Sequence, residues 1–87
     1  MRVEPMKNSR GNVAKNQFIL IDGDVEVFQS YQSIIVRRDG RKVQLDVNKW
    51  DYSPTTSKFR NMFLGENTGE TKKKIKQGMY ELVDLNN

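Results

Sequence analysis

Short apolar runs broken by turn signals dominate the first half of the chain. Residues 17–21 (QFILI) and 25–28 (VEVF) flank Asp22-Gly23, and residues 33–38 (SIIVRR) and 42–47 (KVQLDV) flank Asp39-Gly40. An Asp-Gly pair between two β-type runs is the strongest short-range sign of a hairpin. With Asp39-Gly40 as a two-residue loop, the spacing predicts Val36 facing Val43 and Ile34 facing Leu45, with Val47 extending that apolar face. The same register sets Arg37 opposite Lys42 and, at the tip, Arg38 opposite Arg41. In the first hairpin it predicts Leu20 facing Val25 and Phe18 facing Val27. Gln29-Ser30 is a polar break, and Tyr31 or Gln32 starts the third strand. Four strands joined by turns this short pair most simply as an antiparallel meander.

After Val47 the period changes. Ser53 is placed as an N-cap with Pro54 at the first helical position, where its missing N–H costs nothing. Phe59, Met62 and Phe63 then recur at helical spacing, and Gly65 is placed to end the helix in a left-handed cap. Asn67 with Glu70 three residues later makes a capping-box-like start for a second, lysine-rich helix that ends at Gly78. Residues 79–85 (MYELVDL) regain strand character. Residues 1–16 (MRVEPMKNSRGNVAKN) show neither period and read as a flexible N-terminal arm carrying Arg2, Lys7, Arg10 and Lys15. The expectation is therefore an α+β fold: a single domain over residues 17–87, with a four-stranded antiparallel meander, two short helices on one face and a C-terminal strand. Its expected core is Phe18, Leu20, Val27, Ile34, Val36, Val43, Leu45, Trp50, Phe59, Phe63, Ile75 and Leu82.

Composition narrows the chemistry. The 87 residues suffice for one small domain with a thin core, which favours oligomerisation or a bound partner as added stabilisation. Charged residues make up 30%, yet both signs are interspersed, which argues against wholesale disorder. Cysteine and histidine are both absent, removing disulfides, thiolate chemistry, the commonest general base and the commonest transition-metal ligand. The net charge of +4 is compatible with nucleic acid or an acidic protein surface and demands neither. No apolar run is long enough for a membrane span, and the N-terminus lacks the apolar stretch of a signal peptide. A cytoplasmic protein with no membrane partner is expected.

No residue pattern supports catalysis, a metal site or a cofactor. Asp22 and Asp24 flank a turn glycine, where Asp is favoured for its backbone hydrogen bonds, and a calcium loop needs more oxygen ligands. Thr55-Thr56-Ser57-Lys58 has no glycine-rich phosphate loop before it and reads as the start of a helix. The cations are more informative. Arg37, Arg38, Arg41 and Lys42 crowd one hairpin, where facing like charges destabilise a ladder. They read as a binding tip for an anionic partner or as a solvated tip that guards a strand edge. Lys72, Lys73 and Lys76 spread over one side of the second helix, with Lys74 turned partly away and Ile75 facing inward. That side is either a solvated face or, if it lies with the hairpin tip, part of a continuous basic surface. Trp50 and Tyr52, in the link between sheet and helix, could stack on bases. Trp50 reads better as a cap on the core, and Phe28 and Tyr31 as packing residues.

From Phe28 onward the chain resembles a loose family of small accessory proteins of bacteriophages and related mobile elements. The residues that carry the resemblance are Phe28-Gln29-Ser30-Tyr31, Ile34-Ile35, Trp50-Asp51-Tyr52-Ser53, Thr55-Thr56-Ser57-Lys58-Phe59, Phe63-Leu64-Gly65 and Glu70-Thr71-Lys72-Lys73-Lys74-Ile75. The family brings no established activity with it. The resemblance implies context: a short protein in the cytoplasm of an infected bacterial host, of a kind that binds and blocks host enzymes or defence systems or coats nucleic acid. The leading expectation is a non-catalytic protein that binds and inhibits a host or defence nucleoprotein, such as a nucleic-acid-bound enzyme. Two alternatives stand beside it. One is direct nucleic-acid binding through the basic hairpin tip and lysine helix, and the other is a structural, oligomerising phage protein.

Overall fold

A computed structural model describes Met1–Asn87. Its strands are β1 (Arg2–Lys7), β2 (Val13–Asp22), β3 (Val25–Ser30), β4 (Ser33–Asp39), β5 (Lys42–Asp46) and β6 (Tyr80–Val83). Its helices are α1 (Pro54–Leu64) and α2 (Thr68–Lys76). All six strands form one sheet in chain order. The first five pair antiparallel, whereas β6 lies parallel to β5. A parallel neighbour requires a crossover connection, which the two helices supply. The α+β expectation holds, with six strands in place of the expected meander of four plus a terminal strand.

Residues 1–16, expected as a flexible arm, instead hold β1 and the start of β2. A burial pattern could not show this, because β1 is an edge strand whose gain is backbone pairing, and only Met6 of its side chains is buried. Pro5 is tolerated there because an edge strand leaves one side of its backbone unpaired.

Both Asp-Gly hairpins close one residue later than expected. Asp22 pairs with Val25 and Asp39 with Lys42, so the loops are Gly23-Asp24 and Gly40-Arg41. Gly23 and Gly40 have φ of 61° and 60° at the first loop position, the placement that a type II′ turn reserves for glycine. Every partner therefore moves by two: Leu20 faces Val27, Val36 faces Leu45, Arg37 faces Gln44 and Arg38 faces Val43. The facing pairs Arg37–Lys42 and Arg38–Arg41 do not form.

The helices cover one face of the sheet, α1 over β3 and α2 against β6. Between them lie Met6, Phe28, Ile35, Val36, Val43, Leu45, Phe59 and Phe63, with Trp50, Ile75 and Tyr80 packed at the margin. Ile35 and Val36 are both fully buried although consecutive. The β3–β4 register shifts at this point, Phe28 pairing with Val36 and Gln29 with Ile34. Ile35 is thus a bulge residue, which lets two neighbours enter the same core. Phe18, Leu20, Val27 and Ile34, expected in the core, are only half-buried, because the register puts them on the face away from the helices. Leu82 is exposed on β6. Phe63 stacks on Phe28 with ring centroids 6.0 Å apart.

Both helices start and stop where the sequence placed their caps. The Ser53 hydroxyl accepts from the Thr56 amide at 3.1 Å, and Gly65, at φ 71°, donates to the Asn61 carbonyl. Asn67 and Glu70 complete the capping box reciprocally at 3.0 and 2.8 Å. No helix is long and apolar enough to cross a membrane.

Candidate basic binding surface

The register answers whether the hairpin tip and the lysine helix can act together. Val43 of β5 pairs with Tyr80 of β6, and Tyr80 follows two residues after Gly78, where α2 runs out. The C-terminal turn of α2 and the Gly40-Arg41 loop therefore reach the same end of the sheet. Arg41 and Lys42 are exposed there, as are Lys72, Lys73 and Lys76. At 100° per residue these three lysines share the side of α2 opposite Thr71 and Ile75. Thr71 is fully buried, and Ile75 packs on the core. The row extends away from the hairpin toward the sheet–helix link, where the Lys72 charge helps hold the Asp51 carboxyl down.

Two of the sequence-predicted cations have other work. Arg38 shares the parity of Val36 and turns to the helix-covered face. Its guanidinium lies 4.4 Å from the Phe63 ring centroid. It donates to Glu26 Oε1 at 2.9 and 3.1 Å and to the Phe63 carbonyl at 3.3 Å. Arg38 thus ties β3, β4 and the end of α1 together and is withdrawn from the tip. Arg37 lies on the open face, 3.6 Å from Asp39 in an ion pair. Asp22 and Asp24 occupy the neighbouring β2–β3 turn, so this end of the sheet grades from acidic to basic across its width.

Trp50 is half-buried, packed on the core beneath the Arg60 guanidinium at 5.1 Å, the packing role that its position suggested. Tyr52 is exposed and carries Lys49 Nζ 5.1 Å from its ring. Both lie where β5 ends, away from the hairpin tip, so they do not interleave with Arg41 and Lys42.

Two polar clusters lock the helices beneath this surface. Arg60 is fully buried on α1. It donates to the Trp50 carbonyl, to Asp51 at 3.2 Å, to Asn61 at 2.9 Å and to Thr68 at 2.7 Å, while its Nε finds no partner. Burial pushes the Asp51 carboxyl up, but hydrogen bonds from Ser57 and Arg60 and the Arg60 charge hold it below the usual carboxylate range. The second cluster is Glu66, whose side chain is nearly buried. It accepts from Lys74 at 2.6 Å, Thr71 at 2.6 Å and Tyr80 at 2.8 Å. Burial raises Glu66, and these three donors and the Lys74 charge outweigh it, so its carboxyl stays low. The Glu66 hydrogen bond raises Lys74. Burial, then Glu66, raises Tyr80. A phenol held protonated in this way acts as a donor, the opposite of an activated nucleophile.

Sequence reasoning missed the open sheet face as a feature of its own. Its signal was present in β2, where residues 18–21 are an unbroken apolar run and a half-exposed strand would alternate.

A family model described as "Family of unknown function (DUF8033)" matches residues 1–79, a span that includes the hairpin, both helices and Arg41, Lys42, Lys72, Lys73 and Lys76. Comparison with curated proteins and with solved structures found no match in either.

Proposed function

We propose that this chain, which belongs to that family of unknown function, is a non-catalytic binding protein of the phage accessory type, acting in the cytoplasm of an infected host. Its basic end grips an anionic surface on a host or defence nucleoprotein and blocks it. One observation carries this reading. Arg2, Arg37, Arg38, Arg60 and Lys74 are in ion pairs; of the ten other Lys and Arg side chains, Arg41, Lys42, Lys73 and Lys76 gather toward the hairpin end of the fold, and Lys72 continues their row along α2 toward Asp51. Lysines in the last turn of a helix also favour its dipole, which accounts for Lys73 and Lys76 locally. It does not account for Lys72, Arg41 or Lys42. The like-charge spacings Lys72–Lys76 and Lys73–Lys76 cost the helix a few tenths of a kcal/mol, so the row is retained against a local penalty.

A pull-down from host lysate, with and without nuclease, tests the proposal. A protein captured equally in both arms supports inhibition by direct contact. Loss of all capture with nuclease supports the second reading, phosphate contacts to nucleic acid, which the lysine row equally suits. In that case log K falls with log salt at about −0.9 per phosphate neutralised on duplex DNA. Replacing Arg41, Lys42, Lys72, Lys73 and Lys76 with Gln should weaken capture at least tenfold, about 1.4 kcal/mol. Unchanged capture would remove the basic end from consideration.

A further inference from the structure

The face of the sheet turned away from the helices carries Val3, Phe18, Leu20, Val25, Val27 and Ile34. Val3 is 57% exposed, and the other five are half-buried. A groove of about 360 Å³ runs across this face, lined mainly by Leu20, Val25, Val27, Ile34 and Leu85, with Asp22 and Arg37 among its walls. We propose that this face is the interface of a symmetric homodimer in which two sheets pack face to face.

Four observations select a second copy as the occupant. First, β2 is apolar on both faces over residues 18–21, the pattern of a strand covered on both sides. On β3 the open face holds Val25 and Val27 beside Gln29, while the helix-covered face holds Glu26, Phe28 and Ser30. Second, only eight apolar residues are buried in the folded chain, and of these only Phe28, Ile35, Val36 and Leu45 completely, so a cover over this face would add to a thin core. A cover always at hand is most simply another copy of the same chain. Third, the groove contains both charge signs. A two-fold axis along β3 lays β2 of one copy over β4 of the other, which turns Asp22 toward the partner's Arg37, and the reverse. An isologous contact requires that kind of self-complementarity.

Fourth, the competing edge-to-edge mode is blunted. The β1 edge carries Pro5 and a register break between Pro5 and Lys7, both devices that discourage strand addition. The β6 edge is only four residues long. For area, the named residues span β1 to β4, and a face four strands wide and about five residues long covers roughly 300 Å² in projection. Side-chain relief enlarges this, and the total from two copies lies at the small end of interfaces, in keeping with a dimer that dissociates on dilution.

The test is sedimentation of the nuclease-treated full chain across a dilution series in the micromolar range, together with NMR of a mixture of isotope-labelled and unlabelled copies. The expected result is a monomer–dimer equilibrium with intermolecular contacts among the Leu20, Val27 and Ile34 methyls. Val27→Lys should weaken the dimer at least about a hundredfold, since it buries an unpaired charge at the centre of the contact, with the circular dichroism of the parent retained. Three results overturn the proposal. They are a parent that stays monomeric throughout, a dimer with no intermolecular contacts from these methyls, and a folded Val27→Lys chain that dimerises like the parent. Should Val27→Lys fail to fold, the methyl contacts of the parent decide alone.

Discussion

Arg60 is the residue whose loss should cost this fold most for its size. Its side chain is fully buried and reaches the Trp50 carbonyl, Asp51, Asn61 and Thr68, joining the link after β5, the end of α1 and the start of α2. Truncating Arg60→Ala leaves the Trp50 carbonyl and Asn61 Oδ1 without this donor, leaves Asp51 only Ser57 and Thr68 only Asn61, and removes the cation over Trp50. Breaking a buried ion pair by deleting one partner costs about 3–5 kcal/mol. The Asp51 side chain is 34% exposed, so water recovers part of its charge and the lower figure, about 3 kcal/mol, is the expected loss. A chain of this length has roughly 4–13 kcal/mol of stability in total. With a urea slope near 1 kcal/mol per molar, the midpoint should fall by about 3 M at unchanged slope. Trp50 is the only tryptophan, so its fluorescence reports the same neighbourhood while circular dichroism follows the whole chain. Arg60→Lys keeps the charge but cannot fork to acceptors on three segments, and should recover less than half of the loss. The reasoning fails if Arg60→Ala unfolds within about 1 kcal/mol of the parent, or if Lys restores it fully.

The other expectations follow from the same geometry. Phe63→Ala should cost about 3–5 kcal/mol, because Phe63 is buried, stacks on Phe28 and carries Arg38; a fully folded variant that has lost only binding would make Phe63 an interface residue. Arg38→Gln should lower the denaturation midpoint while Arg41→Gln leaves it within about ±0.5 kcal/mol, and equal effects would deny the division between them. Tyr31 has φ 57°, a left-handed conformation that disfavours a bulky residue, so Tyr31→Gly should leave stability unchanged or raise it by up to about 1 kcal/mol; a clear loss in thermal melting would show that the ring packs. Glu66 is lowered in the fold, so its contribution is present above the unfolded carboxylate value near 4.3 and lost as pH falls through the lower folded value. Lys74 and Tyr80 are raised, so theirs is lost as pH climbs past unfolded values near 10; the urea midpoint should fall on both flanks, and Glu66→Gln should flatten the acid one.

What could be read from the sequence, and what could not, divides along physical lines. Helix caps were legible because capping is local: Ser53, Gly65, Asn67 and Glu70 each act within a few residues. Which residues share a strand face was legible except at the Ile35 bulge, which turns Ile34 away from the Val36 side, while strand partners were not. A loop displaced by one residue moves every partner by two, which preserves side-chain parity and leaves the pattern unchanged. The choice between Asp-Gly and Gly-Arg as the loop rests on a glycine φ that either turn allows. Strand β1 was hidden because its stabilisation lies in backbone hydrogen bonds, which leave no periodicity in Arg2-Val3-Glu4-Pro5-Met6. The bulge at Ile35 was hidden because consecutive isoleucines fit a regular strand equally well. Phe18, Leu20, Val27 and Ile34 were assigned to the only core expected, since a pattern apolar on both faces does not say which face the helices cover.

Among the candidate site residues, Arg38 shows how charge alone misleads. Its parity with Val36 already set it on the core side, and Glu26 shares that side one strand away. A guanidinium can lie flat on Phe63 and still satisfy its donors at Glu26 and the Phe63 carbonyl, which a lysine ammonium at the same place could not do. The hairpin thus divides its four cations by function: Arg38 belongs to the fold, Arg37 to an ion pair on the open face, and only Arg41 and Lys42 remain for a partner. A surface built from these two and the α2 row presents five charges without an ion pair, Lys72 lying near enough to Asp51 to lower its carboxyl. Under the proposed function, stability and anion binding are separable, and charge-removal variants at Arg41, Lys42, Lys72, Lys73 and Lys76 should weaken partner capture while retaining the denaturation midpoint of the parent.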